Sequence, residues 1–205
     1  MKAPPRAYVV TENQFDKELI QSLLARRFGK GAREIYVYPA ENKQSAWSAA
    51  ASLLSSRGLP TALFVDADTI DHDLTVEQQS ELEYIIGDGW PRPMWLVVLA
   101  KPEVEAVFFS DRGLLERVTG KKVSELDIAR AALGPRAALL KLLPKPRSGH
   151  GAKQLVKKLS DSDFETIISS EAFRPLMEFI QRMLALENPP QGIQRTGQDS
   201  RFFFP

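Results

Sequence analysis

The chain has no cysteine among its 205 residues and only two histidines. That excludes a disulfide framework, a thiolate nucleophile and a zinc–cysteine site, and it leaves little for histidine-based metal ligation or a charge relay. Any chemistry must rest on carboxylates, hydroxyls, lysine and arginine. Long apolar runs are missing too, since none approaches the roughly 20 residues needed to span a bilayer. The start, Met1-Lys2-Ala3-Pro4-Pro5-Arg6, leads into a short Tyr8-Val9-Val10 run rather than a signal-peptide core. The expectation is a cytoplasmic protein with no membrane partner. A Walker A lysine motif is also absent, which excludes an ATPase within this chain.

What is present suits a globular domain, with 43% hydrophobic and 26% charged residues. The net charge of +1 hides an asymmetry. Residues 1–111 carry 11 Lys and Arg against 16 Asp and Glu, a balance of −5, and residues 112–205 carry 16 against 10, a balance of +6. The basic excess is densest over residues 121–158, where ten Lys and Arg oppose only Glu125 and Asp127. Such a stripe can track a polyanion, and ordinary solvated helix faces give the same pattern.

The apolar pattern divides the chain. Ala7–Val10, Ile35–Tyr38, Ala62–Val65 and Trp95–Leu99 are short, continuously apolar runs of the kind buried strands show. Helix-period stretches separate them. The first carries Phe15, Leu19, Ile20, Leu23, Leu24 and Phe28; the second is capped by Ser45; the third starts at Thr75 and ends at Gly87. Four such strands with intervening helices predict an α/β fold, a mainly parallel four-stranded sheet with helices on both faces. Beyond Glu103 the spacing predicts helices over Val104–Leu115, Val123–Leu133, Arg136–Leu143, Ala152–Leu159 and Glu171–Leu186. We therefore expect an α/β domain over residues 1–118, a basic helical C-terminal extension over 119–187 and a loosely ordered tail over 188–205.

The acids carry the functional signal. Glu12 lies two residues past the first run, Asp66 and Asp68 follow the third, and Glu103 and Glu105 come shortly after the fourth. In a parallel sheet all these places lie at the carboxyl edge, where open α/β sheets bind ligands. Clustered carboxylates repel unless a cation neutralises them, and oxygen ligands without His or Cys select Mg²⁺ or Mn²⁺. Helix capping is the competing explanation for any one of them: Glu12 stands just ahead of the first helix, and Asp71 or Asp73 can cap the third.

Tyr8-Val9-Val10-Thr11-Glu12 with Leu63-Phe64-Val65-Asp66-Ala67-Asp68 resembles the topoisomerase-primase (TOPRIM) signature, a Glu after the first strand and an Asp-x-Asp after the third. The stretch from Pro102-Glu103-Val104-Glu105-Ala106 to Asp111 is similar to a segment of small bacterial TOPRIM-like proteins related to the overcoming-lysogenisation-defect (OLD) nucleases. The resemblance covers roughly residues 1–111. It departs from the family at Asn13, where many members have Gly, and at Val107, where the small proteins usually have Trp.

The resemblance implies phosphodiester chemistry on nucleic acid with Mg²⁺ or Mn²⁺, in phage defence or DNA repair. Asp66 and Asp68 would hold metal, Glu12 would act as a metal ligand or general acid/base, and Glu105, then Glu103 and Asp111, would supplement them. The mechanism is that of metal-assisted phosphoryl chemistry. No tyrosine stands at an obvious nucleophile position, which argues against a complete topoisomerase.

A phosphate-facing basic group could come from the Arg147-Ser148-Gly149-His150-Gly151-Ala152-Lys153 loop, with Lys157 and Lys158 beyond it as further nucleic-acid contacts. His150 alone reads more readily as a solvent-exposed loop histidine. Trp47 and Trp95 read as core, leaving Trp90 as the candidate for base stacking. Two other functions fit the same residues: a non-catalytic interaction module working with a partner ATPase, and a small-molecule phosphohydrolase using Asp66 as nucleophile.

Overall fold

The structure, a computed structural model, describes residues 5–143 and 151–186. The expected loop residues Arg147 and His150 and the tail over 188–205 lie outside the described residues.

The four apolar runs form β1 (Ala7–Thr11), β2 (Ile35–Pro39), β3 (Thr61–Asp66) and β4 (Trp95–Ala100). They pair in the order β2-β1-β3-β4, all parallel, with Val9 beside Val37 and Ala62, and Ala62 beside Leu96. Every residue of β3 is buried, as expected of a central strand covered on both faces.

Side-chain alternation sorts the strands onto two cores. Val10, Leu63, Val65, Val97 and Leu99 face Ala46, Ala50 and Leu54 of α2 (Lys43–Arg57) and Leu82 and Ile86 of α3 (His72–Gly87). Trp95 belongs to this layer, and a Cβ on Gly87 would come within 2.2 Å of its ring, so glycine is required there. Trp47 and Trp90 pack against the same layer, and Trp90 lies ahead of β4, at the sheet's amino edge.

Val9, Phe64, Val98 and Ala100 face the opposite way, onto α1 (Gln14–Phe28) and the C-terminal helices. Val118 of α4 (Arg112–Thr119), Leu139 of α6 (Pro135–Leu142), Leu155 of α7 (Gly151–Lys158), Ile167 of α8 (Asp161–Ile168) and Phe173 of α9 (Phe173–Ala185) join this one cluster. Phe64 and Phe173 meet at a centroid distance of 5.2 Å. The second half of the chain thus supplies much of the cover for one face of the sheet. Among the described residues, no helix is long and apolar enough to cross a membrane.

Several boundaries differ from expectation for local reasons. Asn42, not Ser45, caps α2 through its side-chain oxygen, and Asp71, one of the two acids expected to cap α3, does so and starts that helix at His72, ahead of Thr75. The single helix expected over Val104–Leu115 is a 3₁₀ segment, Val104–Phe109, followed by α4, because Asp111 accepts from the Leu114 amide and restarts the helix. Helix α5 (Glu125–Ala131) starts in a capping box of Ser124 and Asp127. The same device, Ser160 with Asp163, starts α8, an element not anticipated from the apolar spacing.

Candidate functional site

Glu12, Asp66, Asp68, Glu103 and Glu105 follow the ends of β1, β3 and β4 at the carboxyl edge of the sheet and divide there into an inner group and an outer one, whereas Asp111 lies farther on, at the start of α4. Glu12 follows β1, and its Oε1 accepts from the backbone N–H of Asp66 at 2.9 Å, tying β1's exit to β3's end. Capping of α1 falls to Asn13, which accepts from the Asp16 amide. Asn13 thus does the capping, and the Glu12 carboxylate is left to the crevice.

Asp66 ends β3 with 1% of its surface exposed. Its Oδ1 accepts from the Val104 amide at 2.8 Å and its Oδ2 from Arg136 Nη2 at 2.6 Å. Glu105, on the 3₁₀ segment after β4, is equally enclosed, and its Oε1 accepts from Arg136 Nε at 2.8 Å. Asp16 completes the group from the first turn of α1. Its Oδ2 accepts from Asn13 Nδ2 at 2.9 Å, and its Oδ1 stands 4.0 Å from Arg136 Nη2.

Two oxygens of this inner group, Asp16 Oδ1 and Glu105 Oε2, are buried without a hydrogen-bond partner. Buried acceptors are normally satisfied, so these two oxygens leave the acid group short of donors. The electrostatics agree. Burial, reinforced by the charges of Asp66 and Glu105, pushes the Asp16 carboxyl up to about 8. Burial pushes Asp66 up to about 7 against the opposing pull of Arg136. Glu12 and Glu105 are raised chiefly by burial as well.

The outer acids have local partners. Asp68 Oδ2 pairs with Lys43 Nζ at 2.6 Å, its side chain is 66% exposed, and its amide donates to the Pro102 carbonyl. It holds φ at 58°, an uncommon left-handed conformation for a residue other than glycine that is found disproportionately at functional corners. Glu103 Oε2 accepts from the Arg136 amide at 2.7 Å and so serves the start of α6. Asp111 caps α4 and lies 3.7 Å from Arg117. Among the described residues, no three acidic or histidine side chains are already gathered as a metal cage. The Arg136 guanidinium stands inside the acid group.

Asp16, Arg136 and Lys43 were not singled out from sequence. Asp16 carried one signal, its place in the first turn of the helix that begins just past Glu12. Arg136, 70 residues from Asp66, carried none beyond its place in the basic stripe.

The basic helix α7 lies against α1. Lys153 and Lys157 are exposed and line a groove of about 480 Å³ with Ser22 and Arg26. Lys158 Nζ donates to the Val118 carbonyl at 2.6 Å, so it also braces the end of α4.

No protein-family model and no curated protein matches the chain. Solved structures do. The C-terminal region of the Burkholderia pseudomallei OLD protein aligns with a TM-score of 0.54 and 17% identity over 88% of this chain and 99% of that one. The corresponding region from Xanthomonas campestris pv. campestris gives a TM-score of 0.56 and 15% identity over 89% and 98%. Identities this low speak for backbone architecture alone. With its parallel β2-β1-β3-β4 sheet and the helices that cover it, the chain has the TOPRIM-type fold of the OLD C-terminal regions.

Proposed function

We propose that this protein is a nuclease-like, divalent-metal-dependent phosphodiesterase acting on nucleic acid. The observation that carries the reading is the inner acid group: Glu12, Asp16, Asp66 and Glu105, drawn from separate sheet-edge segments, with two buried oxygens left unpartnered. Oxygen donors without His or Cys suit Mg²⁺ or Mn²⁺. Asp16, Asp66 and Glu105 would hold the ion, and Asp68 would join them on leaving Lys43. When bound, such an ion supplies charge neutralisation at the phosphate and lowers the pKa of a water.

The chain's own groups do the rest. Glu12 has Oε1 fixed by the Asp66 amide, which leaves Oε2 to take a proton from an attacking water; its raised pKa makes it the stronger base. Lys43, at the first position of α2 and already at the crevice, would neutralise a non-bridging phosphate oxygen when Asp68 releases it. Lys153 and Lys157 on α7 would hold the backbone of a longer strand, and the excess of positive charge in the second half of the chain favours such a partner.

A phosphohydrolase using Asp66 as nucleophile fits less well, because both Asp66 oxygens are engaged, one by Val104 and one by Arg136. A non-catalytic module working with a partner ATPase has one observation in its favour: Arg136 already neutralises part of the acid group. Cleavage of a plasmid and of a single-stranded oligonucleotide in Mn²⁺, by wild type and by Glu12→Gln, tests the choice. Cleavage by wild type that is lost in the variant, with melting curves unchanged, supports the nuclease reading. No cleavage by either favours the partner-dependent one.

A further inference from the structure

Arg136 occupies the volume in which the carboxylates converge, and its contacts do not balance theirs. The guanidinium satisfies one oxygen of Asp66 and one of Glu105, but Asp16 Oδ1 at 4.0 Å is beyond hydrogen-bond reach and Glu105 Oε2 has no partner. As placed, the planar fork spends Nη2 on Asp66 and Nε on Glu105 and does not reach the third carboxylate. A single +1 group therefore stands against three enclosed acids, whereas a divalent ion gathers oxygens from all directions.

We propose that Arg136 is a displaceable counter-ion: its guanidinium and a divalent cation are alternative occupants of the same acid group, and loading the metal expels the side chain from Asp66 and Glu105 into the crevice. The inference rests on the divalent-metal reading above.

The geometry makes the two occupants exclusive. Arg136 Nη2 lies 2.6 Å from Asp66 Oδ2 and Nε lies 2.8 Å from Glu105 Oε1, so an ion at its usual oxygen distance of about 2 Å from the same atoms would abut a like charge with little screening. The exit is open, since the Arg136 side chain is 36% exposed while its three carboxylate neighbours are enclosed. Leaving does not unfold the helix, because the Arg136 amide stays on Glu103 and Pro135 occupies the first position of α6. The displaced guanidinium then faces the place where a phosphodiester would approach, so metal loading and the positive charge of the crevice would rise together.

Two measurements on the full chain test the exchange. Calorimetric titration with Mn²⁺ should show Arg136→Gln binding at least about tenfold more tightly than wild type, because the competitor is gone. Phenylglyoxal labelling of wild type, read at Arg136 by peptide mass spectrometry, should increase severalfold when Mn²⁺ saturates the protein, because a guanidinium locked between carboxylates becomes accessible. The labelling arm decides alone if the variant does not fold. Mn²⁺ binding by the variant but not by wild type is the limit of strong competition and supports the proposal. Equal or weaker binding by a folded variant, or labelling that stays constant or falls while Mn²⁺ binds, overturns the exchange and leaves the metal reading intact. Mn²⁺ binding by neither protein overturns both.

Discussion

Asp163 and Asp66 are both buried, with 3% and 1% of their surfaces exposed, and each meets an arginine. Their surroundings obey different rules. Asp163 is fully matched: Arg117, which also stands 3.7 Å from the exposed Asp111, engages both carboxylate oxygens, the Ser160 amide adds a third bond at 3.0 Å, and the carboxyl is held down to about 2, chiefly by the Arg117 hydrogen bonds. Asp66 shares Arg136 with Glu105 and Asp16, oxygens are left over, and its carboxyl is pushed up to about 7 by burial. A matched pair is a structural tie that fixes α8 against α4. An acid group outnumbering its cation stores unfavourable free energy, which a protein retains where a ligand relieves it.

The contrast is broken most directly through activity. Glu12→Gln and Asp66→Asn should each reduce Mn²⁺-dependent cleavage of DNA or RNA by at least about 10²-fold, the scale of a lost general base or metal ligand. Arg117→Gln, at a temperature where it stays folded, should leave cleavage within a few fold of wild type. A comparable loss in Arg117→Gln, measured in the same gel assay, would erase the distinction between the two clusters.

Stability should sort the clusters the other way. Removing the Arg117 cation leaves Asp163 enclosed with only its Ser160 bonds, a cost of about 2 kcal/mol once the half-exposed arginine is allowed for. For a chain of this size that is a fall in Tm of about 4–8 °C. Asp16→Asn should do the opposite in metal-free buffer and raise stability by about 1 kcal/mol. Its amide keeps an oxygen for Asn13 Nδ2 and offers an N–H toward the unpartnered Glu105 oxygen, with one charge fewer in the group. Thermal melts with and without EDTA measure both, and a destabilised Asp16→Asn protein would mean that the acid group is a satisfied structural network.

The pH dependence carries the same opposition of sign. Asp163 has a folded pKa below its unfolded value, so its contribution is present above about pH 4 and is lost as pH falls through about 2. Asp66 and Asp16 have folded pKa values near 7 and 8, above the unfolded value, so the folded state binds the extra protons. Metal-free protein should therefore lose stability as pH rises from about 4 to about 8. Saturating Mn²⁺ should remove that decline, because the ion takes the place of the protons. Denaturant midpoints at pH 5 and pH 8 suffice; a metal-free protein equally stable at both would count against a strained acid group.

How much of this was legible in the sequence follows from the range of the interactions. The strands were readable because a buried parallel strand is written locally as a continuous apolar run, and Glu12, Asp66 and Glu105 inherit their place from strand ends. Asp16 was passed over because an acid in a first helical turn has an ordinary electrostatic explanation. Asp111 was read as a supplementary ligand within one continuous helix, and its bond to the Leu114 amide shows instead that it caps α4. Arg136 and Arg117 reach their acids across 70 and 46 residues, and no local pattern encodes which arginine turns inward. Helix α8 has eight residues and an acidic start, too short for its apolar face to stand out.

The smallest expected effect concerns the basic face, and the structure divides lysines that the sequence treats alike. All three are exposed, but Lys153 and Lys157 line the α1–α7 groove, whereas Lys158 is bonded to the Val118 carbonyl. Lys153→Gln and Lys157→Gln should each weaken nucleic-acid binding a few fold whatever the base sequence, and each should lower the salt-dependence slope by about 1, because each removes one phosphate contact and its counterion release. Lys158→Gln should leave that slope nearly unchanged and instead cost about 1 kcal/mol of stability, as the Val118 carbonyl loses its charged donor. Fluorescence anisotropy of a labelled oligonucleotide from 50 to 300 mM salt, with melts alongside, separates the two behaviours. A slope reduced equally in all three variants would put Lys158 on the binding face with the others, and an unchanged slope in all three would make this side of the molecule a plain solvated surface.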